Sequence, residues 1–382
     1  AGLPVDAAIT ASAITASQTI TSTGNITTSG TVNTPSINGG QIGGRRNLVI
    51  NGAMQVAQRS TSAVTISGDG VYTTVDRFKA RTYGGSGRFS MQQVTDTPNK
   101  SFANSLKLIV TTTETSGTYG YSIATILETS SVIGANFGHS DAKPTTISFH
   151  VKSSITGTYN VSLRIDSGSG EPSNVGEYTI NSANTWEKKT ITFPAYTGGE
   201  SLSNLIIDFG LGKQTSKTTS SALTWQTTNY VYTSNQVDWQ SNNGATFYIT
   251  GVQYEVGSQA TPFEHRSFGE ELSACQRYYY VLGEGNGERM GTGGYYSSSG
   301  MQFPVRHPVE MRTTPTAEVV TGTNYYNTNG ASSDPHNVLT IDGATKRSTS
   351  FYNNSQASGT AGYHAIFLTA NASAKVALTS EL

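Results

Sequence analysis

The sequence has 382 residues, of which 35% are hydrophobic and only 13% charged, and 24 basic against 25 acidic side chains leave a net charge of -1. Nucleic acids and anionic membranes attract concentrated basic faces, and a membrane span needs about 20 apolar residues in a row, so we predict no nucleic-acid binding and no membrane insertion. The single cysteine, Cys275, excludes an intrachain disulfide, and we expect the chain to fold in a cytoplasm.

The composition also favours one fold class. Ser, Thr, Asn and Gly take the place of Lys and Glu, and these residues favour strands and turns over helix interiors. The length allows more than one core, since domains usually hold about 100 to 200 residues. We therefore predict an all-β protein with two globular domains behind a repetitive leading segment.

Residues 1–44 contain a six-residue repeat. One aliphatic residue in six cannot cover a core within one chain, whereas three chains sharing an axis could bury these side chains in a narrow column. We predict an intertwined trimeric β stalk, and the alternative is a disordered Ser/Thr-rich linker. Residue 1 is Ala, so removal of an initiator Met and a preceding segment both stay open. The inward positions would be Ile14, Ile20, Ile26 and Val32.

Residues 45–266 alternate apolar and polar positions in short runs separated by Gly, Asn and Ser. The runs TISFHVKS, YNVSLRID and TITFPAY read as half-buried strands, and LIIDFGLG as a more fully buried one. Their spacing favours a jelly-roll-like β-sandwich. In ATFYITGVQYEVG the apolar parity changes after Ile249, and a β-bulge at Thr250 and Gly251 would return Val252 and Tyr254 to the same face.

A short helix is predicted over residues 267–277, because Ser267 and Glu270 form a capping box and Leu272 and Cys275 follow at helical spacing. Cys275 is then a buried apolar group. Residues 278–382 read as a second, smaller β-sandwich at the tip. In the run from Tyr363 to Leu368 both parities are partly apolar, so we expect that strand to be buried between layers or subunits.

Several of these stretches resemble segments of tail-fibre and receptor-binding proteins of tailed bacteriophages. They are RRNLVINGAMQVAQRSTS (45–62), TTVDRFKA (73–80), FYITGVQYEVGSQATPFEHRSFGEELSACQRYYY (247–280) and FPVRHPVEMRTTPT (303–316). The resemblance implies a trimeric virion protein whose head resembles a carbohydrate-binding module of jelly-roll type. It supplies no binding residues.

Catalytic and metal motifs are missing from the sequence. Polysaccharide hydrolysis needs two carboxyl groups flanking a glycosidic bond, and the adjacent Glu270 and Glu271 are better explained as helix-cap residues. The six histidines form no close pair of the kind that binds zinc, and neither a phosphate-binding loop nor a GxSxG motif occurs. We expect no catalytic residues, no metal and no cofactor.

Sugar binding requires exposed aromatic rings beside hydroxyl and amide groups. The candidates are two tyrosine pairs in Gly/Asn-rich loops, and each pair has the alternative of an edge strand or a trimer contact. Trp186, Trp225 and Trp239 are expected to pack within the first domain. The candidate ligand-binding residues are Tyr295, Tyr296, Tyr325 and Tyr326.

The resulting hypothesis is a homotrimeric tail-fibre-like protein of a virion that adheres to a host cell-surface polysaccharide. The alternative is a purely architectural virion protein without a receptor, and a polysaccharide depolymerase comes third. The sequence leaves the host, the receptor and the attachment point open.

Overall fold

The computed structural model describes residues 45–166, 171–199, 202–330 and 332–382. The predicted stalk, with its four aliphatic positions, lies outside these ranges. The strands of the first part of the chain are β1 (Val64–Thr65), β2 (Lys79–Arg81), β3 (Arg88–Val94), β4 (Ser105–Thr112), β5 (Ser122–Glu128), β6 (Thr145–Ser153), β7 (Gly157–Asp166), β8 (Ser173–Ile180), β9 (Glu187–Phe193), β10 (Asn204–Gly210), β11 (Thr218–Thr219), β12 (Tyr232–Thr233) and β13 (Thr246–Val256).

These strands build a jelly-roll-like β-sandwich, as the sequence predicts. One sheet has the order β1-β3-β4-β13-β6-β9 and the other β2-β5-β10-β7-β8, both antiparallel throughout. β11 and β12 form a separate parallel pair of two residues each. The one-turn helix α1 (Thr129–Val132) follows β5, and three short 3-10 helices span Ile133–Ala135, Thr215–Lys217 and Trp239–Ser241.

The sandwich core lies between the inward rows of the two sheets. Phe149 of β6 meets Phe209 of β10 with ring centroids 5.2 Å apart, and Tyr159 of β7 meets Phe247 of β13 at 5.9 Å. The apolar positions of β7 are fully buried, as the alternation predicts. The polar positions between them, Asn160, Ser162 and Arg164, are buried as well, so this strand is covered on both faces and the prediction that it is half-buried is wrong. Burying each of the apolar side chains contributes about 1.5–3 kcal/mol.

The predicted bulge in β13 is present. The register against β6 shifts between Thr250 and Gln253, and Gly251 has φ +63°. Phe247, Ile249 and Val252 are all fully buried, so the bulge returns the second apolar set to the core side.

The helix α2 (Phe268–Gln276) follows the sandwich and carries a reciprocal capping box between Ser267 and Glu270. The carboxylate of Glu271 accepts the backbone N–H of Asn51 at 2.6 Å, which ties the helix to the start of the described chain. Cys275 is buried as expected, and burial raises the pKa of its thiol well above the usual value.

The remaining strands belong to one eight-stranded antiparallel sheet with the order β18-β17-β21-β14-β15-β20-β19, in which β16 pairs with β21 beside β17. The strands are β14 (Tyr279–Tyr295), β15 (Met301–Arg306), β16 (Thr316–Val319), β17 (Tyr326–Asn329), β18 (Ser333–His336), β19 (Thr340–Ala344), β20 (Ser348–Asn353) and β21 (His364–Thr379).

This sheet curls over a core of its own. Phe303 of β15 stacks on Phe351 of β20 and on Phe367 of β21, with ring centroids 5.6 and 4.2 Å away. Because β21 is long, β16 pairs with its end and β17 with its beginning. The chain after β21 returns to the sandwich, where the Glu381 carboxylate forms ion pairs with Arg59 and the buried Arg77.

Candidate functional site

The β14–β15 hairpin presents one aromatic ring at its turn. The backbone N–H groups of Tyr296 and Ser297 both donate to the carbonyl oxygen of Gly300, at 3.0 and 3.3 Å. A Cβ on Gly300 would lie 2.4 Å from the Tyr296 ring, so glycine lets the ring lie across the turn. Tyr296 is 55% exposed. The hairpin therefore places a largely exposed ring against a tight turn.

A second exposed ring lies directly before β21. Gly362 has φ +87°, a conformation that favours glycine, and its N–H donates to the Tyr295 carbonyl at 2.8 Å. The N–H of Tyr295 donates in turn to the Tyr363 carbonyl at 3.0 Å. Tyr363 is also 55% exposed. The end of β14 thus positions both exposed rings through its backbone.

A buried polar group supports the same strand end. The Tyr295 hydroxyl donates to Oδ2 of Asp334 at 2.9 Å, and the Ser358 N–H donates to the same oxygen at 2.8 Å. Burial and the hydrogen bond to Asp334 raise the pKa of Tyr295 to about 12. The phenol therefore stays a donor at neutral pH, and the segment before β21 is held against β18.

Two hollows open beside this strand end. The first, called here the distal groove, has a volume of about 290 Å³, and the second, beside the hairpin, has about 400 Å³. The Tyr295 ring borders both. The distal groove is lined by Tyr295, Gly330, Ser332, Ser358, Gly359, Thr360, Tyr363 and His364, and the hairpin hollow by Gly294, Tyr295, Tyr296, Gln302, Pro304 and Ser350.

The lining of these hollows combines exposed rings with hydroxyl, amide and imidazole groups. A ring face can stack on the apolar face of a sugar while hydroxyl and amide groups exchange hydrogen bonds with its hydroxyls. The lining groups can therefore bind a sugar through ring faces and hydrogen bonds.

Of the comparisons with known proteins, the one with solved structures finds similarity. No family model matches the chain, and no curated protein matches it. The enzymatically active domain of tailspike protein 4 from bacteriophage CBA120 is 17% identical over 55% of this chain and 21% of that chain, with a TM-score of 0.30.

Carbohydrate-binding modules also match. A xylan-binding domain from Paenibacillus barcinonensis is 16% identical over 47% of this chain and 91% of its own, with a TM-score of 0.29. A family 11 carbohydrate-binding module of a Clostridium thermocellum cellulase is 13% identical over 54% and 99%, with a TM-score of 0.28. The fold assignment rests on the sheet orders and the cores described above.

The four tyrosines predicted from the sequence have different environments. Tyr296 is exposed as expected, and Tyr295 borders the distal groove although only 8% of it is exposed. The expectation of loop rings is wrong for Tyr295, the last residue of β14, and for Tyr326, the first residue of β17. Tyr326 begins β17 opposite Thr369 of β21, so its ring turns into the core, and Tyr325 packs half-buried against the same core.

Sequence reasoning missed Tyr363, which it assigned to a strand. The strand begins one residue later, at His364, and residues 360–362 before it form a turn at Gly362. The Gly-rich loop criterion applied to the other tyrosines would have selected Tyr363 as well. Because strand parity alone was considered, the turn signal before it went unused.

The tryptophans lie in the first domain. Trp239 is fully buried, and Trp225 is half-buried against Tyr196, with ring centroids 4.7 Å apart. Trp186 is half-buried on the outer side of the sandwich, where its Nε1–H donates to Asp96 at 3.0 Å.

Metal-binding clusters and membrane-spanning helices are both absent from the described chain. Across residues 45–166, 171–199, 202–330 and 332–382, no group of three or more His, Cys, Asp or Glu side chains could hold a metal ion. Within the same ranges, no helix has the length and apolar character required to cross a membrane.

Proposed function

We propose that this protein is a glycan-binding adhesin of a phage virion appendage and that the distal groove and the adjoining hairpin hollow contact the glycan. The observation that carries the proposal is the pair of exposed rings, Tyr296 and Tyr363, held by one strand end beside hollows lined by hydroxyl groups. The appendage would assemble in the host cytoplasm and attach to other virion proteins through residues 1–44.

We further propose a homotrimer with the division 1–44, 45–266, 267–277 and 278–382. The outward side of β21 supports a subunit contact at the tip, because Ile366 is 40% exposed and Leu368 lies half-buried on the same face. Three weak glycan sites on one particle would act together, so that avidity exceeds the affinity of any one site. Light scattering tests the trimer, and a monomer of the full chain would overturn the stalk argument.

The binding proposal is tested with the double variant Tyr296→Ala and Tyr363→Ala. An aromatic contact contributes about 0.5–1.5 kcal/mol in addition to the free energy of burying its surface. Losing two rings should therefore weaken binding to a surface-polysaccharide array about tenfold or more. Tyr119→Ala, an exposed ring on the sandwich, is the matched control and should bind like the parent. Unchanged binding by the double variant would overturn the groove assignment.

The same preparation separates the rival functions. A chain that binds no host surface yet copurifies with virion proteins would favour an architectural role. If size-exclusion chromatography shows that the pure protein shortens the polysaccharide, a depolymerase is favoured.

A further inference from the structure

The outward face of the six-stranded sheet carries a row of alternating lysine and aromatic side chains. Tyr248 of β13 pairs with Lys107 of β4 on one side and with Lys152 of β6 on the other. Trp186 lies directly before β9, beside the position that pairs with Val151. The inward neighbours Leu108, Phe247 and Val151 are fully buried, so strand alternation turns the row outward.

The members of this row are in contact. The Lys152 ammonium lies 4.2 Å from the ring centroid of Tyr248 and 5.3 Å from that of Trp186, and the Lys107 ammonium lies 5.5 Å from the Tyr248 centroid. The two ring centroids are 6.1 Å apart at an interplanar angle of 68°. Cation–π contacts hold both ammonium groups at defined positions above a rigid sheet.

The charges on this face are mostly positive. The outward positions of β3, β4, β13, β6 and β9 carry three lysines, since Lys188 pairs with His150 in the neighbouring row. Two carboxylates lie on the same face. Asp96 accepts hydrogen bonds from Trp186 Nε1 and Lys152 Nζ, and Glu255 of β13 accepts from Thr261. Three lysines against two carboxylates leave an excess of one positive charge in a surrounding of Ser, Thr and Gln.

We propose that this lysine–aromatic row binds an anionic polysaccharide, one whose sugars carry carboxylate groups. The backbones of Lys107 and Lys152 lie two strand spacings apart, roughly 9–10 Å, so the two residues can contact neighbouring acidic groups along one chain. Because Lys152 forms an ion pair with Asp96 and its side chain is 11% exposed, a ligand carboxylate at this position would share the ammonium group with Asp96. The neighbouring hydroxyl side chains take up sugar hydroxyls. An excess of one charge is too small for the many phosphate contacts of duplex DNA. The row shares no residue with the distal groove, so it would be a second site with a different ligand class.

Calorimetry on the full chain tests the proposal with three carboxylated probes: hexagalacturonate, oligomannuronate and a hyaluronate oligosaccharide. The methyl ester of hexagalacturonate keeps the sugar backbone but removes its charges. We expect at least one acidic probe to bind, with affinity falling as ionic strength rises, and its neutral counterpart to bind at least tenfold more weakly. Binding to none of the three, or equal binding of the acid and its methyl ester, would overturn the proposal.

Variants locate the binding. The double variant Lys107→Gln and Lys152→Gln should lose at least tenfold in affinity for the acidic probe. Lys143→Gln, an exposed lysine outside the row, should not change it. If the double variant melts early, Lys107→Arg and Lys152→Arg keep the charges and should restore binding. Unchanged affinity in a folded double variant would contradict the assignment.

Two further measurements separate the lysine–aromatic row from the distal groove and from a general site for acidic ligands. Tyr363→Ala should leave binding of the acidic oligosaccharide unchanged, so failure of the distal-groove proposal would not decide this one. Oligoglutamate presents carboxylates without sugar hydroxyls and should bind at least tenfold more weakly. If the peptide binds equally well, the row binds acidic ligands in general, and the choice of a polysaccharide is overturned.

Discussion

Tyr326 tests whether the structure has separated core tyrosines from site tyrosines. It is 1% exposed, and its hydroxyl lies 2.6 Å from the Val320 carbonyl oxygen and 2.9 Å from that of Lys375. Tyr326→Phe keeps the ring and removes one hydrogen-bond donor, so we expect a loss of about 1 kcal/mol in the free energy of unfolding.

Tyr326→Ala removes the ring from a packed interior. Truncation of a buried aromatic residue costs about 3–5 kcal/mol, and native proteins are stable by about 5–15 kcal/mol, so the loss is a large share of the total. Tyr363→Ala is the comparison. Because more than half of that ring is exposed, its removal should change unfolding by no more than about 0.5 kcal/mol.

The assay combines urea unfolding, followed by circular dichroism, with glycan binding on the same preparations. Tyr326→Phe should unfold at slightly lower urea and bind normally, Tyr326→Ala should unfold early, and Tyr363→Ala should unfold like the parent while binding weakly. The reasoning is refuted if Tyr326→Phe loses glycan binding with an unchanged urea midpoint, since the hydroxyl would then act on a ligand rather than in the core.

Three other predictions concern stability. Gly251→Ala should destabilise the sandwich by about 1–3 kcal/mol in urea unfolding, because Gly251 has φ +63° and a Cβ there would lie 2.8 Å from the Phe102 ring; an unchanged midpoint would contradict the strain. Tyr295→Phe should cost about 1.5–3 kcal/mol by leaving the buried Asp334 carboxylate with one donor fewer, whereas an equal midpoint would show that Ser358 suffices. Burial raises the pKa of Asp76 to about 6 against 3.8 when unfolded, so the folded state binds this proton more tightly. Stability relative to Asp76→Asn should therefore rise as pH falls from 7 to 4, by about 2 kcal/mol, and parallel pH curves for the two proteins would disprove it.

Most of the sandwich could be predicted from the sequence because the alternation of apolar and polar residues within a strand indicates which side chains face the core. A period of two in β6 and β7 identifies the parity that faces the sandwich core without knowledge of the partner strand, although it does not show that the other face of β7 is buried too. The change of parity around Gly251 identifies the bulge, and Ser267 with Glu270 identifies the start of α2. These features depend on residues close in sequence, so they need no tertiary information.

The candidate site could be predicted only in part, because exposure of a ring depends on distant strands. Tyr326 and Tyr296 both lie in Gly- or Asn-rich contexts, yet β21 pairs with β17 and turns the first ring inward, while the β14–β15 turn leaves the second in solvent. Tyr363 becomes part of the site because its backbone pairs with the end of β14, 68 positions earlier in the chain.

The sequence by itself determined an all-β chain, the parity of its strands, one bulge and one capped helix, since these follow from local backbone preference and apolar spacing. The tertiary structure alone decided which tyrosines border a groove and which fill a core. It also decided that Lys107, Tyr248, Lys152 and Trp186 form one row, because register between strands far apart in sequence sets side-chain neighbours across a sheet.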